Sequence, residues 1–144
     1  MKRAYFFLIV LGIISLCCGC GFFGDQEYSC DEGQIARIRI IRLEKYVEAE
    51  YRYDYSVLSE IENRTAFIEQ LNNMTHSVNW GEPGQFQIGY LVIRIDYQNG
   101  DYDLIHPSTQ WFNRSGVNQN GYFFFDQQEF DALVNSVLPE QSGQ

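Results

Sequence analysis

Residues 86–106 read FQIGYLVIRIDYQNGDYDLIH, and this stretch decides the fold. Between residues 86 and 97, apolar side chains occupy both sets of alternating positions, which predicts a central strand buried on both faces. Asn99-Gly100 follows as a hairpin signal, because both residue types accept positive φ. Residues 102–106 are then predicted to return antiparallel, and Pro107 ends that strand.

The preceding segments predict two further strands. In residues 34–43, alanine and isoleucine alternate with Arg37 and Arg39, so one face is apolar and the other basic. The alternation shifts at Ile40-Ile41, where a bulge would realign the residues that follow. Residues 51–57 alternate between apolar and polar with a period of two, and we expect them to pair with the first strand.

Two helices complete the pattern. Residues 63–74 carry an apolar stripe at helical spacing, with Asn63 as the N-cap. Residues 126–138 carry a second stripe, with Asp126 as N-cap, Glu129 as its capping-box partner and Pro139 as the stop. With further short strands at 111–112 and 122–125, the order predicts an α+β fold. It is an antiparallel sheet of about five to six strands with both helices packed on one face.

The hairpin also resembles a known group of proteins. Residues 93–105, with Tyr97-x-Asn99-Gly100-Asp101-Tyr102, and the last helix with Phe125-Asp126-x-x-x-Phe130, resemble small exported lipoproteins of anaerobic Gram-positive bacteria. The resemblance covers residues 34–138. It implies a fold and a location outside the cytoplasm, and it implies no activity.

The N-terminus has the three-part layout of a secretory signal. Lys2 and Arg3 precede an apolar run over residues 4–16, and Cys17-Cys18-Gly19-Cys20 follows. This end resembles a bacterial lipobox, with Gly19 as the small residue before the modified cysteine, although Cys17 stands where the motif prefers leucine. The resemblance implies lipidation of Cys20 and attachment to the outer side of the cell membrane. The expected domains are a signal peptide at 1–19, a lipid-anchored tether at 20–33 and one folded domain at 34–144.

Two alternatives remain open at this end of the chain. Residues 4–23 contain no charge and are about long enough to cross a bilayer as an uncleaved helix. If Cys20 is not acylated, it could form a disulfide with Cys30, the only cysteine in the expected mature body.

Charge and motifs narrow the function classes. Removing residues 1–19 leaves 8 basic against 19 acidic residues, a net charge of −11, which argues against nucleic acid as a partner. His76 and His106 lie in different segments without a ligand set, so no metal and no cofactor are expected. Asp96, Asp101 and Asp103 surround the hairpin turn and are expected to be solvated.

Aromatic residues are the remaining functional candidates. They make up 16% of the chain, more than one core of this size requires, and Tyr and Trp favour interfaces. The expected surface lies on the sheet face away from the helices, although the same tyrosines could instead belong to the core. The candidate residues are Tyr51, Tyr53, Tyr55, Trp80 and Trp111.

The sequence therefore favours a membrane-anchored binding module over an enzyme. Its partner is expected to be a protein, as in an immunity-type neutraliser of a secreted toxin, or a wall glycan. The alternative is a small cell-envelope hydrolase, which predicts a deep cleft with convergent carboxylates or a histidine–carboxylate pair. No nucleophile elbow and no phosphate-binding glycine loop occur in the sequence.

Overall fold

The computed structural model of the chain describes residues 28–50, 52–79, 84–113 and 122–139. Over these ranges the fold is α+β, as predicted. Its strands are β1 (Ile35–Val47), β2 (Arg52–Glu60), β3 (His76–Asn79), β4 (Leu91–Tyr97), β5 (Tyr102–His106), β6 (Thr109–Asn113) and β7 (Tyr122–Phe125). The helices are α1 (Arg64–Asn73) and α2 (Gln127–Val137), and short 3₁₀ turns span Glu32–Gln34 and Glu48–Glu50.

The main sheet is antiparallel and has five strands in the order β2-β1-β4-β5-β6. The predicted pairing of β2 with β1 is confirmed, with Leu43 opposite Tyr55. On its other side β1 pairs with β4, with Ile40 opposite Ile93. Strands β4, β5 and β6 form a meander. The first strand and the central apolar strand therefore form the middle of the sheet.

Both helices pack on one face of this sheet, which we call the inner face. Phe67 and Leu71 of α1 and Phe130 of α2 join Ile40 and Ile93 of the strands in one buried cluster. The predicted N-caps are formed: Asn63 Oδ1 accepts from Ala66 N–H, and Asp126 Oδ1 accepts from the N–H groups of Gln128 and Glu129. Local capping signals thus fixed where each helix begins.

The capping box itself is not formed as predicted. The Glu129 carboxylate does not bond back to Asp126, because it accepts from Thr75 N–H at 2.7 Å and from Thr75 Oγ1 at 3.0 Å. Asp126 N–H instead donates to the Thr75 carbonyl at 2.9 Å. The start of α2 is therefore joined to the start of β3, which pairs with β7 in a separate two-stranded sheet.

The apolar strand begins at Leu91, five residues later than predicted. Gly89 has φ of 91° and Ile88 is 56% exposed, so residues 84–90 form a turn segment instead of continuing the strand. This segment is still bound to the sheet, because Gly89 N–H donates to the Leu43 carbonyl and Leu43 N–H donates to the Tyr90 carbonyl. Of the alternating apolar residues, Phe86 and Tyr90 pack against the sheet, whereas Ile88 does not.

The hairpin between β4 and β5 lies where predicted but has a different turn. Gly100 N–H donates to the Tyr97 carbonyl, and Tyr97 N–H donates to the Asp101 carbonyl. Gln98 and Asn99 are therefore the central residues of the turn, and Gly100 follows with φ of 92°. This is the three-residue loop with a glycine bulge, in which Gly100 provides the positive φ.

The predicted bulge at Ile40-Ile41 does not realign β1. Ile40 lies opposite Ser59 and Ile41 opposite Val57, so the extra residue is in β2, at Leu58. The β1–β4 register runs without interruption from Arg37 to Arg42. Ile41 therefore stays on the face opposite to Ile40, which we call the outer face.

The packed body begins earlier than Gln34. Tyr28 is 3% exposed and Cys30 6% exposed, and both belong to the inner cluster. Asn72 of α1 holds the backbone of Cys30 through hydrogen bonds of 3.0 and 3.2 Å. Residues 28–33 are thus part of the folded body and not of a loose tether.

Several predicted features lie outside the described residues. They include the signal peptide, Cys20, the segment 20–27, Tyr51 and Trp80. Within the described ranges, no helix has the length and apolar character needed to span a membrane.

Candidate binding surface on the outer face

The outer face carries a second, smaller apolar cluster. Ile41 and Leu43 of β1, Val92 of β4 and Leu104 of β5 are 0–5% exposed and pack with Phe86. No described helix contributes to this cluster. Partly buried tyrosines surround it instead: Tyr53, Tyr55, Tyr90 and Tyr102.

One end of the outer face is closed by the segment 84–90. The Tyr53 ring packs edge-on against Phe86, with centroids 5.8 Å apart, and its hydroxyl donates to the Phe86 carbonyl at 3.3 Å. Tyr46 also contacts Tyr53, with ring centroids 4.9 Å apart. Burial, followed by the proximity of Tyr46, raises the pKa of Tyr53, so this hydroxyl stays protonated and can donate.

The other end of the outer face is strongly basic. Three arginines converge on one carboxylate, that of Asp96: Arg39 Nη2 lies 2.6 Å from Oδ2, Arg94 Nε 2.8 Å from Oδ1, and Arg37 Nε 3.8 Å from Oδ2. Cross-strand register explains the convergence, because Arg39 is opposite Arg94 and Arg37 is opposite Asp96. The group has a net charge of about +2 in a chain whose formal net charge is −9.

Arg39 is the most buried of these arginines. Its side chain is 11% exposed, and its Nε atom is buried without a hydrogen-bond partner. Burial lowers the pKa of Arg39, but the hydrogen bond and the charge of Asp96, with a smaller contribution from Tyr55, outweigh it and raise the pKa overall. Arg39 is therefore a permanent positive charge beneath the outer face.

Arg94 is held in a fixed orientation. Its guanidinium carbon lies 4.6 Å from the centroid of Tyr102 and 5.3 Å from that of Tyr55, so one cation contacts two aromatic faces. Of the nitrogens of Arg94, Nε donates to Asp96. Among the described residues, none accepts a hydrogen bond from the two Nη groups, which leaves this end of the guanidinium available.

An open pocket of about 310 Å³ lies between these groups. Its floor is Ile41, Leu43 and Leu104, and tyrosines and arginines form its walls. One wall residue, Arg52, is neutralised by Glu50 and Asp54 at 2.5 and 2.6 Å. The wall residues are Arg52, Tyr53, Tyr55, Arg94 and Tyr102. The described lining contains no carboxylate and no histidine, so the pocket offers apolar contact, aromatic faces and positive charge.

The structure brings some of the predicted site residues together. Tyr53 and Tyr55 lie on the outer face and line the pocket. Tyr51 and Trp80 are outside the described residues, and Trp111 is described by its backbone alone, opposite Leu104 in the β5–β6 pair. The basic alternation at Arg37 and Arg39 signalled a charged face, but no sequence pattern linked it to Arg94.

The aspartates near the hairpin are less solvated than predicted. Asp103 is fully buried, and its carboxylate accepts from the Tyr97 hydroxyl at 2.7 Å and from the Tyr28 hydroxyl at 3.5 Å. Asp96 is 16% exposed and ion-paired. Over the described ranges, no cluster of three or more histidine, cysteine, aspartate or glutamate side chains is arranged to hold a metal ion.

Comparison of the chain with protein-family models, with curated proteins and with solved structures finds no match.

Proposed function

We propose that this chain is a membrane-anchored, extracytoplasmic binding module, and that its partner binds the outer face of the main sheet. The observation that carries the proposal is that the helices cover only one face of the sheet. Both helices pack on the inner face, whereas the outer face contains an open pocket lined by Tyr53, Tyr55 and Tyr102. Half-buried tyrosines beside an arginine are typical of the residues that dominate protein interfaces.

The chemistry of the pocket favours binding over hydrolysis. General acid–base cleavage needs a carboxylate or histidine within reach of the substrate, and the described lining provides neither. What the lining provides is a preoriented cation and aromatic faces, which hold a ligand without transforming it. The fitting partner is a protein, as expected for an immunity-type neutraliser.

The proposed location depends on the N-terminus. In this proposal Cys20 carries the lipid, and two or three acyl chains anchor the domain stably. Mass spectrometry of the mature N-terminus tests the anchor: we expect an acylated Cys20 as the first residue. An unmodified first residue, or an intact Met1, would contradict it.

Site-specific cross-linking tests the binding surface. A photoreactive amino acid replaces Val57, which lies on the outer face opposite Ile41 and is 48% exposed. The matched control places it at Gln70, an exposed residue of α1. In native envelopes of the producing cell, the full chain should form a discrete adduct from position 57 and not from position 70. Equal labelling from both positions, or none from position 57, would reject the outer face as the binding surface.

A further inference from the structure

We infer that the outer-face pocket recognises an acidic peptide segment, in which a carboxylate binds the Nη end of Arg94 and a neighbouring large apolar side chain fills the pocket. This inference rests on the proposed function and specifies its ligand.

The contacts of Arg94 leave one edge of its guanidinium for a ligand. Asp96 fixes the guanidinium at Nε, and the guanidinium carbon lies over the rings of both Tyr55 and Tyr102. The edge that carries the two Nη groups is therefore the part left for a ligand. A guanidinium edge offers two parallel N–H donors, which match the two oxygens of a carboxylate.

The arginine cluster around Asp96 carries excess positive charge. Arg37, Arg39 and Arg94 share one carboxylate, so Asp96 neutralises only one of three positive charges. Of these three arginines, Arg94 lines the pocket. An incoming anion would reduce the mutual repulsion of these arginines, and its hydrogen bonds would be charge-assisted.

The floor of the pocket suits an apolar side chain. Its floor of Ile41, Leu43 and Leu104 offers no hydrogen bonds, and its volume of about 310 Å³ accommodates a large side chain. The hydroxyl groups of a sugar ring would find hydrogen-bond partners on the walls but none on this floor, which favours an apolar group there. In a peptide with an apolar residue next to an aspartate or glutamate, the apolar side chain can pack on the floor while the carboxylate binds Arg94.

The test uses the full chain in detergent micelles and two dipeptide probes, N-acetyl-glutamyl-phenylalanine amide and its glutaminyl counterpart. We expect the glutamyl probe to bind roughly 10- to 100-fold more tightly, because a charge-assisted hydrogen bond contributes about that factor. Added salt should reduce this ratio. Equal affinities of the two probes would overturn the inference, and this comparison requires no substitution in the protein.

Matched variants locate the effect. Arg94→Lys keeps the charge but removes the planar fork, so it should reduce the preference for the glutamyl probe by about tenfold. Arg42→Lys is the control, because Arg42 is an exposed arginine of β1 outside the pocket. Equal effects of the two variants would show that the planar guanidinium of Arg94 does not bind the carboxylate of the probe. Because both variants are measured in the same detergent, partition of the probes into micelles cancels.

A competition experiment tests whether the site prefers a carboxylate to other anions. Acetate and inorganic phosphate compete with the glutamyl probe at matched ionic strength, and acetate should compete at least as well. Stronger competition by phosphate would assign the site to a phosphorylated ligand and reject the acidic peptide. If cross-linking from position 57 succeeds while the two probes bind equally, the binding surface stands and only the ligand class is wrong.

Discussion

The two faces of the main sheet are built from the same strands and have opposite chemistry. In β1 the even-numbered Ile38 and Ile40 are fully buried under the helices, whereas the odd-numbered Arg37 and Arg39 lie on the outer face. Strand β4 repeats the alternation with Ile93 and Arg94. The inner face is apolar and closed, and the outer face combines a small apolar floor with cations and tyrosines. Alternate residues of the same strands therefore build a closed apolar core on one side and an open, charged face on the other.

The inner face should respond most strongly to truncation. Phe130→Ala removes a side chain that is 1% exposed and touches the main cluster, so we expect a loss of about 3–5 kcal/mol in the free energy of unfolding. Chemical denaturation of the full chain in micelles measures it. A loss below about 1 kcal/mol would contradict a tightly packed inner core.

The hairpin turn supports both faces and should show an intermediate effect. Gly100→Val places a β-branched residue at φ of 92°, which costs about 1–3 kcal/mol. No other atoms lie near the added Cβ, so the cost is conformational and not steric. A thermal melt should fall by several degrees, whereas Gly33→Val, at a glycine without positive φ, serves as the control. Equal melting temperatures for the two variants would place the strained position elsewhere.

The outer face should respond weakly to the loss of one polar group. Tyr53→Phe keeps the ring contacts with Phe86 and Tyr46 but removes the hydrogen bond to the Phe86 carbonyl. We expect a loss of about 0.5–1.5 kcal/mol in the free energy of unfolding. A loss as large as that of Phe130→Ala would show that the segment 84–90 is part of the main core.

The smallest effect should come from a histidine that joins the two faces. The His106 ring stacks on the ring of Tyr90 in the outer cluster, with centroids 4.1 Å apart. It also contacts the ring of Phe130 in the inner cluster, with centroids 5.8 Å apart. Burial lowers the pKa of His106, and the charge of Asp131 opposes this only in part. Its Nδ1 also lies 3.2 Å from Ser108 N, and accepting from this N–H favours the neutral ring.

The sign of the pH dependence follows from this shift. Below the ordinary histidine pKa of about 6.5, the unfolded chain binds a proton that the folded chain does not, so stability falls as the pH decreases towards the folded-state pKa. Melting temperatures measured between pH 7.5 and 5 should therefore fall less steeply for His106→Gln than for the unsubstituted chain. Identical slopes would mean that His106 titrates alike in the folded and unfolded states.

Local sequence signals predicted the helices well, whereas features that depend on contacts between distant segments were missed. Asn63 and Asp126 act within three residues of themselves, so a sequence pattern captures them. The turn at residues 87–90 has a local signal in Gly89, but its attachment to the sheet depends on hydrogen bonds to Leu43, which no local pattern encodes. The same limit applied to the bulge, because its extra residue belongs to the partner strand.

The candidate site was predicted only in part for the same reason. The period of two placed Tyr53 and Tyr55 on one face, as the structure shows. Arg94 was not identified, because the two rings that contact it, Tyr55 of β2 and Tyr102 of β5, come from separate strands and meet it only when the register is fixed.

The alternation of arginine and isoleucine also bears on misfolding. A slip of β1 against β4 by one residue would turn Arg37 and Arg39 towards the helices and expose Ile38 and Ile40 to solvent. Charged groups buried beneath α1 and α2 without partners would make that arrangement far less stable than the native one. The cations of the outer face therefore also act as a check on strand alignment, so substituting them with apolar residues should increase aggregation during folding even where the native structure tolerates the change.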